Sequence, residues 1–282
     1  MMRLGLAAPA KVNLSLKVTG RRADGRHELD SLVVFATVAD LVSLEEAEEL
    51  SLVVEGPFAE ALEGESDNLV LRAARLFRVR RGARITLTKN LPVAAGLGGG
   101  SSDAAAALRL LAALWKLPLP DDDAVRLGAD LPVCLFGRPA RLRGIGERVE
   151  AVALPDFALL LVNPGIALPT GEVFAAFEGP PGPAPDFPAR FSDLEALLAY
   201  LRAAANDLEV AAIRLRPEIG AVLKAIENSP GCRLARMSGS GATCFGIFAG
   251  LAGAEAAAAA LSAARPGWWV QPAALQAPEK PS

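Results

Sequence analysis

The chain has a single histidine among 282 residues, three cysteines and one tyrosine. One imidazole cannot build a histidine-rich metal centre. A Ser-His-Asp hydrolase would have to recruit His27, and no Gly-x-Ser-x-Gly elbow is present to hold its serine. Cys134, Cys232 and Cys244 stand far apart in apolar surroundings. That predicts buried reduced thiols, and neither a disulfide framework nor a zinc site. An excess of positive charge is also missing: the net charge is −3, so nucleic acid is not expected as a partner. The basic residues between Arg72 and Arg84 alternate with leucines and alanines, as on one solvated helix face. No apolar run reaches the roughly 18 residues that a membrane-spanning helix needs. The start, Met1 to Ala10, imitates a signal peptide only faintly, because Lys11 interrupts it at the short end of the apolar range. We read it as a strand of a cytoplasmic protein with no obligate protein partner.

What is present suffices for a large core. Hydrophobic residues make up 52%, which excludes global disorder, and the length predicts two domains. The boundary is placed at Leu154-Pro155, giving residues 1–154 and 155–282. Residues 12, 14, 16 and 18 are apolar and alternate with Lys11, Asn13, Ser15 and Lys17, the signature of a strand. Further strands are predicted at 32–38, 41–45, 50–54 and around Ile85. Helices are predicted from Asp67 to Arg80, from Asp103 to Trp115 and over 122–128. Asp130 to Phe136 reads as a strand, Arg141 to Val152 as a hairpin, and Ala158 to Val162 as a buried strand. Thr170 is expected to cap a short helix, and residues 179–188 are proline-rich and irregular. Three helices between 192 and 228, a glycine turn at 237–242, a strand, an alanine-rich helix and a last strand complete the chain. Strands and helices mix without regular alternation, so the expected class is α+β.

The most informative stretch is Pro92-Val93-Ala94-Ala95-Gly96-Leu97-Gly98-Gly99-Gly100-Ser101-Ser102, which runs into Asp103 and a predicted helix. Glycines let a backbone approach a ligand closely, and a helix start presents several free N–H groups that favour phosphate. A Walker-type loop needs Gly-Lys-Ser/Thr, and Ser101 occupies the lysine position. The Rossmann pattern fails at its third glycine, again at Ser101. The loop is therefore expected to hold nucleotide phosphates in another way. Asp103 is expected mainly to cap the helix.

Five segments in order resemble the motifs of the GHMP-type small-molecule kinases. They are Ala8 to Leu14, Gly20 to His27, Pro92 to Asp103, Leu127 to Pro132, and Ser238 to Ala242. The combination is most similar to the branch acting on a cytidine-diphosphate-linked methylerythritol. The resemblance implies a two-domain α+β kinase fold with its active site in the interdomain cleft, ATP as cosubstrate with Mg²⁺, and phosphorylation of an alcohol. It implies Asp130 as the base that takes the hydroxyl proton and Lys11 as its partner, with Asn13 orienting the substrate. Asn68 and Lys89 fall near the nucleoside, although Lys89 alone reads as a surface charge at a strand end. For cytidine, the family has Gly-Tyr-His where this chain has Gly25-Arg26-His27. Arg26 would then stack on the base in place of tyrosine, with His27 hydrogen-bonding it. Phe174 is either the other face of that sandwich or a core residue, and Thr170 either touches substrate or only caps its helix. No dedicated metal ligand stands out, and Ser101 and Ser102 are the hydroxyls nearest the phosphates.

Overall fold

The structure is a computed structural model that describes residues 4–64, 67–120, 123 and 126–277. Two long strands, β1 (Leu4–Arg21) and β2 (His27–Ala47), pair antiparallel from Leu4↔Leu44 to Arg21↔His27. The expected break between strands at 38–41 does not occur. No glycine or proline interrupts residues 32–45, so nothing removes a ladder bond there. β2 bends instead and changes partners: its start pairs with β5 (Ala140–Gly144) and its end with β4 (Gly82–Thr88). β3 (Leu50–Glu55) pairs parallel to β4, and β6 (Arg148–Ala151) closes the expected hairpin with β5. Together these six strands form one sheet.

A second sheet of four antiparallel strands has the order β10-β7-β9-β8. Its strands are β7 (Ala158–Asn163), β8 (Leu234–Met237), β9 (Cys244–Phe248) and β10 (Trp269–Ala274). β7 is buried at every residue, as its unbroken apolar run requires. Val12 and Leu14 of β1 share a core with Leu159, Leu161 and Phe245 of the second sheet. The polar face of β1 is buried as well: Lys11, Asn13 and Ser15 are 4%, 4% and 2% exposed, so both faces of β1 are covered there.

The helices are α1 (Leu69–Arg75), α2 (Gly99–Trp115), α3 (Leu131–Phe136), α4 (Thr170–Ala175), α5 (Leu194–Ala204), α6 (Glu209–Leu215), α7 (Glu218–Glu227) and α8 (Leu251–Ala264). α1 is shorter than the predicted 67–80. Asn68 is its N-cap, its side chain accepting from Val70 N at 2.9 Å, and Arg78 already has φ +52°. Of the predicted helix over 122–128, residues 122, 124 and 125 lie outside the described residues, and 123, 126 and 127 are helical.

α3 corrects the expectation of a strand at 130–136. Six apolar residues carry too little periodicity to separate a buried strand from a buried helix, so the ends decide. Pro132 sits in the first turn, where its missing N–H costs nothing. Gly137 stops the helix at φ +66° and donates its N–H to Val133 O at 2.9 Å. Asp130 therefore stands just before a helix, and not at a strand start. Thr170 is likewise no cap: Pro169 holds the N-cap position of α4. No described helix is long and apolar enough to cross a membrane.

Candidate active site

A cleft of about 490 Å³ opens between the two sheets. One wall is the polar face of β1, with Lys11 and Asn13. The glycine stretch 92–101 forms another, and Asp130 with the β5–β6 turn, Thr170 and Phe174 of α4, and the Gly239-Ser240 turn complete it. Leu97 and Ser102 are the members of the predicted phosphate loop that do not line it. Leu97 is buried in the shared core, and the Ser102 hydroxyl turns inward to Cys134 Sγ at 3.4 Å.

The loop ends in α2, with Gly98 as N-cap at φ +61°. The first-turn N–H groups of α2, which follow Gly98, have no partner within the helix. The loop is also pinned from the second sheet. Thr243 N donates to Ala95 O at 3.1 Å, and the fully buried Ser238 hydroxyl donates to Gly96 O at 2.8 Å. That hydroxyl also accepts from Asn13 N at 3.1 Å. One serine thus ties the strand, the loop and the turn together.

Lys11 Nζ lies 2.9 Å from Asp130 Oδ1 and 3.0 Å from Asn13 Oδ1. The lysine is buried, whereas the Asp130 side chain is 38% exposed to the cleft. Asn13 is held in turn by the Ser31 hydroxyl, to which its Nδ2 donates at 2.8 Å. A Cβ on Gly98 would sit 2.9 Å from Lys11 Cε and 3.6 Å from Asp130 Oδ2. The ion pair therefore stands directly against the start of α2.

Lys89 overturns its reading as a surface charge. It is 2% exposed and bonds two carboxylates, Asp40 at 2.5 Å and Asp103 at 2.9 Å. Asp103 does not cap α2 but sits in its second turn, pointing into this cluster. Burial opposes the charge on Lys89, yet the attraction of Asp103 and Asp40 outweighs it and raises the lysine's pKa. Burial pushes Asp103 up to about 8, against the pull of Lys89. Its Oδ1 has no hydrogen-bond partner. Asp40 Oδ1 accepts from the backbone N–H of both Asn90 and Leu91, fixing the lead-in to the loop. Asp40 escaped the sequence reading, although a lone acid in the apolar run Val38-Ala39-Asp40-Leu41-Val42 is a signal in itself. Such a group is buried only when paired.

His27, which does not line the cleft itself, stacks on Phe174 with ring centroids 5.1 Å apart and planes at 21°. Desolvation, helped by the Arg21 charge, lowers the His27 pKa. Phe174 lines the cleft and packs on the second-sheet core, in keeping with its reading as a core residue. Arg26 is not brought into the cleft. Its guanidinium is exposed and donates twice to Asp24 Oδ2, at 2.9 and 2.6 Å. Thr170 Oγ1 and Ser240 Oγ share a hydrogen bond of 2.9 Å in the cleft wall. Asn68 and Lys89 both line the cleft near the loop. The three cysteines are free, with Cys134 and Cys244 buried and Cys232 half-buried. Among the described residues, no group of three His, Cys, Asp or Glu side chains is placed to hold a metal ion.

Residues 68–139 match the family described as GHMP kinases N terminal domain, and residues 185–266 match GHMP kinases C terminal. A 4-diphosphocytidyl-2-C-methyl-D-erythritol kinase from Cereibacter sphaeroides (strain ATCC 17029 / ATH 2.4.9) is 56% identical over 95% of this chain and 98% of its own. The protein of that name from Parvibaculum lavamentivorans is 52% identical over 94% and 96%. A crystal structure of 4-(cytidine 5'-diphospho)-2C-methyl-D-erythritol kinase superposes with a TM-score of 0.80 at 39% identity, covering 97% of this chain and 100% of the other. The α+β fold, the interlocked cleft and these full-length likenesses agree: the chain belongs to the 4-diphosphocytidyl-2-C-methyl-D-erythritol kinase family of GHMP kinases.

Proposed function

We propose that the chain transfers the γ-phosphoryl group of ATP to the 2-hydroxyl of 4-diphosphocytidyl-2-C-methyl-D-erythritol, a step of non-mevalonate isoprenoid precursor synthesis. The observation that carries this reading is the Lys11–Asp130 pair, 2.9 Å apart at the start of α2. A base and a phosphate site are thereby adjacent, which is what an in-line displacement on phosphorus requires.

The N–H groups of the loop and of the first turn of α2 cradle the triphosphate, and the helix dipole adds partial positive charge. Asp130 accepts the proton of the 2-hydroxyl through the oxygen that Lys11 leaves free. The substrate oxygen forms its bond to the γ-phosphorus as the bond to the β-phosphate oxygen breaks, releasing ADP. Lys11 holds Asp130 in place, and its charge offsets that of the developing alkoxide. Asn13 fixes Lys11 and offers the substrate a polar contact. The Ser101 hydroxyl, on the cleft wall at the start of α2, is an oxygen donor on the phosphate side. It would suit Mg²⁺, which keeps several of its waters and takes one or two protein oxygens along with phosphates. When bound, the ion neutralises charge on the phosphates.

His27 and Phe174 bound the region assigned to the cytosine, with Thr170 beside the erythritol portion. Arg26 stays outside this assignment unless it leaves Asp24. The two-domain division at 154–155 follows the sheets, and the small-molecule chemistry goes with a cytoplasmic location. The test is an assay of the purified chain with ATP·Mg²⁺ and separate alcohols: the CDP-linked methylerythritol, mevalonate and homoserine. Phosphorylation at the 2-hydroxyl of the first alone supports the reading. Turnover of mevalonate or homoserine in its place rejects it.

A further inference from the structure

Asn206 is 6% exposed and lies in the α5–α6 connection, outside the five family-like segments. Its side chain is fully engaged, and only with backbone. Nδ2 donates to Met237 O at 2.9 Å and Gly239 O at 2.8 Å, while Oδ1 accepts from Leu208 N at 3.0 Å. The connection itself is anchored to β1, since Leu16 N donates to Ala205 O and Asp207 N donates to Leu16 O. Asn206 is therefore a fixed post against which the 238–241 turn is held.

That turn touches the reacting side of the cleft. Gly239 has φ +56°, and a Cβ there would lie 3.2 Å from Asn13 Oδ1 and 3.3 Å from Gly96 O. Asn13 Oδ1 is the atom that receives Lys11 Nζ. Because a trans peptide is planar, pulling Gly239 O toward Asn206 turns the Ser240 N–H to the opposite side. Gly239 and Ser240 both line the cleft. Without the amide, two carbonyls lose their shared donor, and of the contacts that hold the turn against Asn13 and Gly96 only those of Ser238 remain.

We propose that Asn206 is a positioning residue for phosphoryl transfer, locking the Gly239–Ser240 peptide so that Asn13, and through it Lys11, keeps its place beside Asp130. This rests on the kinase reading above, and wild-type turnover tests that reading separately. Asn206→Ala is measured beside Asn206→Ser, which keeps one donor, and beside Val222→Ala, a buried change in α7 that removes none of the Asn206 hydrogen bonds. The expected result for Asn206→Ala is a fall in kcat of at least about thirtyfold, with KM for both substrates within about threefold. Asn206→Ser falls in between, and Val222→Ala lowers Tm but keeps the wild-type kcat. Rates are referred to the folded fraction, measured by circular dichroism at the assay temperature. If Asn206→Ala keeps kcat within threefold of wild type, the proposal is wrong. It is equally wrong if the loss only tracks the unfolded fraction, or if Val222→Ala at equal Tm loses as much. Should Asn206→Ala not fold, Asn206→Ser alone decides by the same split between kcat and KM.

Discussion

Lys11 Nζ and Asp130 Oδ1 meet at 2.9 Å across 119 positions of sequence, one from the first strand and the other from the residue before α3. The lysine end is buried and the carboxylate end is open to the cleft. An acid presented in this way is held still by its partner and keeps one oxygen free for substrate. Removing its basicity without changing its shape tests the assignment. Asp130→Asn is expected to lower kcat by about 10²- to 10⁴-fold, the range of general-base contributions. ATP affinity, measured by calorimetry, should stay within about twofold, because the loop amides are untouched. A kcat near wild type would remove Asp130 from the chemistry.

The region proposed for the cytidine separates aromatic from guanidinium recognition. His27 and Phe174 are in mutual contact at 5.1 Å, whereas two stacked layers around an inserted base need about 7 Å, at roughly 3.5 Å per contact. The rings must part for a base to enter. Phe174→Ala is expected to raise KM for the CDP-linked substrate about fivefold, in line with the roughly 1 kcal/mol of an aromatic pair, and to leave KM for ATP unchanged. Arg26 is exposed and tied to Asp24, so Arg26→Ala should change the same KM by less than about threefold, since exposed ion pairs contribute little. A larger effect of Arg26→Ala than of Phe174→Ala would restore the stacking role to the arginine.

The sequence displayed the site in pieces and concealed how they join. Gly96 to Gly100 and the Lys11-Val12-Asn13 alternation are local patterns, so they were legible as a glycine loop opening a helix and as a strand. The resemblance to a family linked Lys11 to Asp130. No local pattern showed that Lys89 is buried, because its counter-charges come from Asp40, 49 residues away, and Asp103, 14 away. Asp103 was read as a cap for the same reason: acids at helix starts usually are, and only the third dimension supplies the lysine. The Asp130–Phe136 segment was misread because six apolar residues fit both periods, with Gly137 and Pro132 deciding at the ends. Asn206 gave no signal at all, since its partners are main-chain carbonyls that any residue type carries.

The Asp40–Lys89–Asp103 cluster makes stability depend on pH in a defined direction. Asp103 is raised from 3.8 to about 8, chiefly by burial. Between those values the folded protein keeps a proton that the unfolded chain releases. Stability from this group is then full below about pH 4 and lost as pH rises toward 8, because the unfolded state binds fewer protons. Asp103→Asn removes the titration while keeping the shape. Urea midpoints measured from pH 5 to 8.5 should fall more steeply with pH for the wild type than for the variant. Parallel curves would show that Asp103 is already ionised in the folded state throughout this range.

Two glycines of the loop should respond in opposite ways to the same substitution. Gly96 has φ +75°, and a Cβ there would lie 2.4 Å from Ser238 O and 2.8 Å from Gly241 O. Neither contact is with a side chain that can swing away. Both are main chain, fixed by the Ser238 bonds to Asn13 and Gly96. The left-handed conformation costs an alanine about 1–2 kcal/mol and the overpacking about 1–3 more. Gly96→Ala should therefore destabilise the fold by about 2–5 kcal/mol in urea unfolding. Gly100, inside the first turn of α2, has open space where its Cβ would go and no positive φ. Gly100→Ala should leave stability unchanged or raise it by up to about 1 kcal/mol through helix propensity. It should nonetheless weaken ATP binding severalfold, because the added methyl group stands where phosphate approaches the backbone. If Gly100→Ala binds ATP as wild type does, the triphosphate does not pass over the start of α2. The mechanism built on that adjacency would then fail, even with Lys11 and Asp130 in place.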